Sequence, residues 1–308
     1  MPIYDQSYKR WSGQLYPRGT RWLVVAQDSI RRSLKGKGTR IIIGIGLIPF
    51  LIWVARLYIS VNFEAITEQY PFLRYGGPIH DAFAEINSTF YYEFCRIELG
   101  LIFFVIFLSG CSLIADDRRT NALSLYLSKP LTRTDYLVGK GAGVAVPVAC
   151  LTLFPGILLY VLHAMFRNDL TLLYRDARIL LAIVLYSLLV MISGSIVILA
   201  ISSMTKQGRY AAFGFIALII GGTILTNILQ EALRRTALDS TLGSPKTKMI
   251  ALFEDWHRMA IALFDTKPRG RYPFEGFDWP WALLGIVMFV AVSIWILHRR
   301  VRGMDIVK

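Results

Sequence analysis

Apolar residues along the chain fall into six long blocks that polar and charged segments separate. Each block holds about 17 or more residues with few or no charges, enough for a helix to cross roughly 30 Å of hydrocarbon. The pattern therefore predicts an all-α, polytopic membrane protein with six transmembrane helices. The predicted spans are Ile41–Ile59, Leu99–Ala115 with an upstream extension through Phe94, Tyr136–Met165, Ile179–Ile201, Tyr210–Ile228 and Trp279–Leu297.

Prolines interrupt two of these blocks. Pro49 lies in the first, and Pro147 and Pro155 lie in the third. Proline lacks the N–H that a helix needs and clashes with the preceding turn, yet membrane helices tolerate it where neighbours satisfy the freed carbonyl. We therefore expect kinks in both spans.

Residues 1–38 precede the spans as a basic segment with eight Lys or Arg residues. Within it, Trp22–Leu34 has a helical period, with apolar residues on one face and Arg31, Arg32 and Lys35 at its polar edge. This pattern favours an amphipathic helix lying in the membrane interface. The alternative is a helix that packs on a cytoplasmic partner. No apolar stretch typical of a cleavable signal peptide occurs in this segment.

Basic residues predict the orientation, because Lys and Arg accumulate in cytoplasmic flanks. The 62–94 loop has one basic residue against five acids, whereas segments 1–38, 116–135, 204–209 and 299–308 are basic. This asymmetry predicts that both termini are cytoplasmic, with a transmembrane domain over 39–298 and a cytoplasmic tail over 299–308. The 230–278 loop carries eight basic and seven acidic residues, and six spans place it outside. Its predicted helices are Gln230–Leu238 and Lys248–Phe264, the second interrupted by charges.

Composition excludes several other classes of protein. The net charge of +13 comes with no nucleic-acid-binding motif, and it fits basic flanks beside membrane spans. Three cysteines in or beside apolar blocks indicate neither a disulfide framework nor a metal site. Gly139-Lys140 lacks the earlier glycine and the following hydroxyl residue of a phosphate loop. We therefore expect no ATP hydrolysis, enzymatic activity, metal or cofactor in this chain.

The segment 116–135, between the second and third spans, is the most specific part of the sequence. It predicts a short helix that Thr120 or Asn121 caps and Pro130 ends. Thr132 and Asp135 then form a capping-box pattern at the start of the third span. The apolar face of the short helix carries Leu123, Tyr126 and Leu127. Such a helix suits a groove on a cytoplasmic partner.

This segment resembles the permease subunit of type 2 ABC exporters, the group that includes multidrug-export and multicopper-enzyme-maturation permeases. It departs from that pattern at Asn121, where glycine is frequent. The matching residues are Asp116, Asp117, Thr120, Leu123, Ser128, Pro130, Arg133, Gly139 and Lys140.

The resemblance implies a permease in the bacterial inner membrane that works as a dimer with two separate cytoplasmic ATPase subunits, which bind ATP and Mg²⁺. The basic N-terminal helix would be the elbow helix, and the 230–278 loop would hold extracellular re-entrant helices. A non-transporting scaffold or sensor subunit is the alternative, and the substrate class stays open. The residues implied in coupling are Asp116, Asp117, Thr120, Leu123, Tyr126, Leu127, Lys129, Pro130 and Arg133.

Charged residues near the membrane suggest a second kind of site. Arg56, Glu93, Arg96 and Glu98 either line a substrate path or form a solvated helix end, with Arg96 pairing to Glu93 and Arg56 snorkelling outward. A charged group in the outer loop fits a solvated helix face better than a metal site; its members are Glu254, Asp255 and His257. A membrane-embedded enzyme would need convergent catalytic groups inside the spans, and the sequence does not supply them.

Overall fold

The computed structural model describes residues 20–63, 66, 68, 86–122, 131–235, 247–266 and 279–302. Regular structure in these ranges is helical, without a strand. Six helical stretches are long and apolar enough to cross a membrane, which confirms the predicted fold class and span count. The helices of the spans extend beyond the apolar blocks, because polar and aromatic residues at the ends of the blocks are helical as well.

The helices are numbered here in chain order. The first span is α2, the second is α3 continued by α4, the third is α5 with α6, and the last three are α8, α9 and α11. The bounds are α1 Arg21–Lys35, α2 Lys37–Val61, α3 Ser88–Gly110, α4 Ala115–Arg119, α5 Arg133–Ala149, α6 Leu153–Phe166, α7 Leu172–Arg175, α8 Ala177–Met204, α9 Gly208–Arg235, a 3₁₀ helix Thr247–Ile250, α10 Leu252–Phe264 and α11 Trp279–Arg302.

The third span is interrupted near its middle, as its two prolines predict. Helix α5 ends at Ala149 and α6 begins at Leu153. Pro155 has no N–H to donate to the carbonyl of Leu151, one turn earlier. Across the gap, the backbone N–H and the hydroxyl of Thr152 both donate to the carbonyl of Val148 at 3.1 Å. Pro49, in contrast, lies within the continuous helix α2.

Spans two, three and four form the centre of the molecule. In each, 56% of the most apolar 18-residue window is buried, against 17–28% for spans one, five and six. Spans one, five and six therefore leave most of their side chains at least partly exposed. Residues at the centre include Leu99, Ile102, Ile106, Val144, Val190 and Ile198.

Helix α10, in the 230–278 loop, is packed into the molecule, which corrects the prediction of a solvated face. Trp256 is fully buried, and its indole N–H donates to the hydroxyl of Ser193 at 2.8 Å. Asp255 and Arg258 are buried as well, because α10 packs against α3, α8 and α11. His257 is partly buried and shares a 3.1 Å hydrogen bond with the hydroxyl of Tyr92.

The other helix predicted in this loop, Gln230–Leu238, is not a separate element where the structure describes it. Residues 230–235 continue α9 without a break. Residues 236–238 lie outside the described residues.

Candidate coupling site

The chain leaves the second span through a short interruption at residues 111–114. Ser202 of α8 stabilises this interruption: its hydroxyl accepts from the backbone N–H of Ile114 at 3.2 Å and of Ala115 at 3.1 Å. The same hydroxyl donates to the carbonyl of Cys111 at 2.8 Å. One serine thus satisfies backbone groups that the end of α3 leaves without helical partners. Helix α4 then begins at Ala115.

Asp117, in α4, is the centre of a buried polar cluster. Its carboxylate lies 2.7 Å from the ammonium of Lys140 and accepts a 2.8 Å hydrogen bond from the hydroxyl of Tyr136, both in α5. The guanidinium of Arg32, in α1, lies 3.7 Å away on the more exposed side. The cluster therefore joins the base of the 116–135 segment to α1 and to the start of the third span.

Because Asp117 and Lys140 are both buried, each charge needs the other as its counter-ion. Asp117 is 2% exposed and Lys140 is 0% exposed. Removing either charge would leave the other in a low-dielectric site, where an unpaired ion costs several kcal/mol. The Tyr136 hydroxyl satisfies a further lone pair of the carboxylate, which a buried ion pair requires. The arrangement thus favours one position of α4 relative to α5.

Helix α1 lies against α5 across two glycines. A Cβ atom at Gly139 would come within 2.6 Å of Val25 and 3.0 Å of the backbone nitrogen of Ala26, and one at Gly143 would come within 2.8 Å of Ser29. The close approach is possible because both positions lack a side chain. Gly139-Lys140, which closes the family pattern, therefore has two roles: the glycine admits α1 and the lysine pairs with Asp117.

The predicted amphipathic helix is confirmed as α1, although its place in a membrane interface stays a prediction. Its face towards the protein carries small residues, and Arg31, Arg32 and Lys35 are exposed. The buried residues are Val25, Ala26, Ser29 and Ser33.

The remaining residues at the start of the segment form the end of α4. Asp116 lies 3.6 Å from Arg119 in a partly exposed ion pair, and the hydroxyl of Thr120 donates to the Asp116 carbonyl at 2.9 Å. Asn121 has a φ of 53°, in the left-handed region that glycine favours. This backbone conformation explains why glycine suits the family pattern at this position. Arg118 donates to the carbonyl of Ser203 and so ties α4 to α8.

The end of the segment is a capped helix start, as predicted. The hydroxyl of Thr132 accepts from the backbone N–H of Asp135 at 3.1 Å, and the Asp135 carboxylate accepts from the backbone N–H of Thr132 at 3.1 Å. Arg133 is the first residue of α5 and is partly buried. The other predicted coupling residues lie outside the described residues: Leu123, Tyr126, Leu127, Lys129 and Pro130.

The second predicted site divides into an ion pair and a buried acid. Arg56 lies 2.7 Å from Glu93 and over the rings of Trp53 and Phe90. The Arg56–Glu93 pair joins span one to span two, and the Glu93–Arg96 pair stays a prediction. Arg96 is exposed on the same helix. Glu98 is 0% exposed, so the prediction of a solvated helix end is wrong for this residue.

The sequence comparison agrees with this geometry. Residues 28–300 match a family described as ABC-2 family transporter protein. The chain belongs to this family. No curated protein matches the chain closely enough to add a relative. The match covers α1 from Asp28 through nearly all of α11, so all six spans and the residues of the polar cluster around Asp117 lie within the matched range.

Three residues of the ABC-2 permease site were absent from the predicted set: Arg32, Tyr136 and Lys140. Lys140 had a signal in the sequence, because a lysine inside a predicted span needs a partner, and an acid at the end of a neighbouring span can supply one. Tyr136 and Arg32 had no such signal. Their roles depend on how α1, α4 and α5 cross.

Proposed function

We propose that this ABC-2 permease is the transmembrane subunit of an ATP-driven exporter, with ATP and Mg²⁺ bound by a separate cytoplasmic ATPase subunit. Family membership supports a membrane subunit of a transporter. The observation that carries the coupling part of the proposal is the buried Asp117–Lys140 pair, with its nitrogen and oxygen 2.7 Å apart. The pair lies at the base of the segment that resembles a coupling helix.

Through the cluster, a movement of the 116–135 segment would be transmitted to the membrane-spanning helices. Asp117 contacts α5 through Lys140 and Tyr136, and α1 through Arg32. Closure of the ATPases would push on residues 123–129, and the ion pair would carry α1 and α5 along with α4. Because α5 is the first half of the interrupted third span, it can tilt relative to α6. That movement would alternate the spans between inward- and outward-facing arrangements and export the substrate.

The complex would contain two permease subunits in the bacterial inner membrane, with both termini cytoplasmic. Spans one, five and six expose large apolar side chains such as Leu51, Phe213 and Trp295, which are 61%, 69% and 57% exposed in the single chain. A second copy would cover part of this surface and lipid the rest.

The coupling proposal is tested by co-purification with the ATPase. Leu123→Asp and Tyr126→Asp place a charge on the predicted apolar face of the segment, and we expect each to abolish retention of the ATPase. Ser128→Asp adds the same charge on the opposite side of that helix by its period, and we expect it to retain the ATPase. Full retention by both face variants would refute the assignment of residues 116–135 as the coupling segment.

Transport separates the exporter from a scaffold or sensor subunit. Both would bind the ATPase through the same segment. Only an exporter would show ATP-dependent movement of a substrate in proteoliposomes that contain both subunits, and Asp117→Asn should reduce that movement while ATPase binding persists.

A further inference from the structure

Glu98 is a fully enclosed acid near the middle of the second span. Its side chain is 0% exposed, and both carboxyl oxygens are buried. Neither oxygen has a hydrogen-bond partner among the residues that the structure describes, and Glu98 belongs to none of the ion pairs in those ranges. Asp117, the buried acid at the other end of this span, has Lys140 instead.

Three elements enclose the Glu98 carboxyl. On α2, a Cβ atom at Gly46 would lie 3.6 Å from Oε2, which is van der Waals contact, so α2 passes directly beside the acid. The same Cβ would lie 2.2 Å from Leu151, which is in the interruption of the third span. On α3 itself, Cys95 lies three residues before Glu98 and is buried as well. None of these contacts supplies a positive charge.

The energetics decide the protonation state. A carboxylate in a low-dielectric site without a counter-ion or a hydrogen bond costs several kcal/mol, and such groups take up a proton instead. A neutral carboxylic acid avoids most of that penalty. The geometry points to Glu98 as a proton-binding site of the permease, which holds a proton while spans one, two and three are packed as here and releases it when they separate.

The release is a simple proton transfer. When water enters between Gly46 and Leu151, the protonated carboxyl gives its proton to that water and becomes a hydrated carboxylate; repacking reverses the step. The site lies beside the interruption of the third span, so tilting of α5 relative to α6 would move Leu151 away from the acid. This last link, from ATP to the proton, rests on the proposed function. The proton site itself rests on burial alone.

Infrared spectroscopy of the purified permease tests the protonation directly. At pH 7 we expect carbonyl absorption from protonated carboxylic acids that shifts on deuterium exchange, with a component that is lost in Glu98→Gln. Burial raises the pKa of Asp255 to about 8, so Asp255 contributes a component that both proteins share. Glu93→Gln removes an acid that is ion-paired with Arg56 and should leave the Glu98 component intact. A spectrum of the wild type without this absorption, or one that Glu98→Gln leaves unchanged, would overturn the inference.

A carbodiimide provides a second measurement, because dicyclohexylcarbodiimide adds to protonated carboxyls in apolar surroundings. At pH 7 we expect an adduct at Glu98 and none at Asp117, which is equally buried but ion-paired. Gly46→Ala places a Cβ within 2.2 Å of Leu151, so it should displace that side chain beside the carboxyl and change the labelling rate several-fold. Gly44→Ala is the matched control, since a Cβ there meets nothing within 4 Å. Equal labelling of Glu98 and Asp117 would contradict the proton site.

The two proposals fail separately. The infrared band is measured on the permease alone, so loss of ATPase binding would leave the proton site standing. If the band is present and nucleotide does not alter carbodiimide labelling in the complex with the ATPase, the link to ATP is refuted and the site is retained.

Discussion

Buried charges in this permease differ in their partners, and that difference sets what each residue can do. Asp117 and Lys140 neutralise one another at 2.7 Å, whereas Glu98 is enclosed by apolar groups. In α10, Arg258 lies 3.6 Å from Asp255 and offsets only part of the cost of burial. Burial raises the pKa of Asp255 to about 8 for this reason, with a further small rise from Glu254. The paired residues fix the position of helices, whereas the unpaired acid holds a proton until the spans around it separate.

The Asp117–Lys140 pair predicts strongly non-additive substitutions. Asp117→Asn or Lys140→Met alone leaves one buried ion without its partner, and we expect each to lower the free energy of unfolding by about 3–5 kcal/mol. The double variant removes both charges and should recover more than half of that loss. Unfolding of the purified permease in detergent gives the coupling energy. Asp116→Asn, in the partly exposed pair with Arg119, is the control and should cost below about 1 kcal/mol. Additive losses in the double variant would show that the two side chains do not interact.

His257 predicts a loss of stability in mild acid. Burial lowers the pKa of His257 to about 4, and repulsion from Arg96 and Arg258 adds to the shift. Its ordinary pKa is about 6.5, so the neutral ring contributes stability that is complete above about pH 6.5 and is lost as the pH falls towards 4. The melting temperature of the wild type should fall between pH 7 and pH 5 by more than that of His257→Gln. Asp255 is present in both proteins, so the difference isolates His257. Equal falls would contradict the assignment.

At the scale of helices, the sequence predicts the features that depend on residues close together in the chain. Apolar blocks gave the six spans, and Thr132 and Asp135 gave the capping box, because each depends on residues a few positions apart. The face that each helix buries depends on how the helices cross. The Asp117–Lys140 pair, the enclosure of Glu98 and the burial of α10 all arise from such crossings. A solvated face was therefore the natural expectation for Asp255, and tertiary packing overrides it.

The contact between α1 and α5 predicts a position-specific effect of small substitutions. Gly139→Ala and Gly143→Ala insert a methyl group within 2.6–2.8 Å of α1, and we expect each to cost about 1–3 kcal/mol or to displace α1. Gly141→Ala lies between them on the same helix, where the nearest atom is 4.0 Å away. It should be neutral or slightly stabilising, because alanine favours helix over glycine. Melting temperatures of the three variants test this, and equal behaviour would contradict the packing of α1 on α5.

At the scale of the whole molecule, the burial pattern divides the bundle into a packed centre and an exposed surround. Spans two to four hold the centre, and spans one, five and six are mostly uncovered in the single chain. Helices α1, α4 and α5 form the Asp117 cluster, and spans one to three form the Glu98 site, so residues of a single chain build both sites. A partner subunit would cover part of the exposed surface of spans one, five and six. It would leave the polar cluster and the proton site unchanged.

The arrangement of the six spans predicts which segments face each side of the membrane. Both termini are predicted inside, so Thr134 at the start of span three lies inside, and Tyr174 in α7 lies outside. Ser244, outside the described residues, belongs to the basic 230–278 loop, which the six spans place outside despite its eight positive charges.

In a background without Cys95, Cys111 and Cys150, we expect a membrane-impermeant maleimide to label Tyr174→Cys and Ser244→Cys in intact cells. Thr134→Cys should react only after permeabilisation. Tyr174 is 87% exposed and serves as the reference for an accessible outer position. If Ser244→Cys reacts only after permeabilisation while Tyr174→Cys reacts before it, then span four or span five does not cross the membrane as predicted, because two crossings place α7 and that loop on the same side.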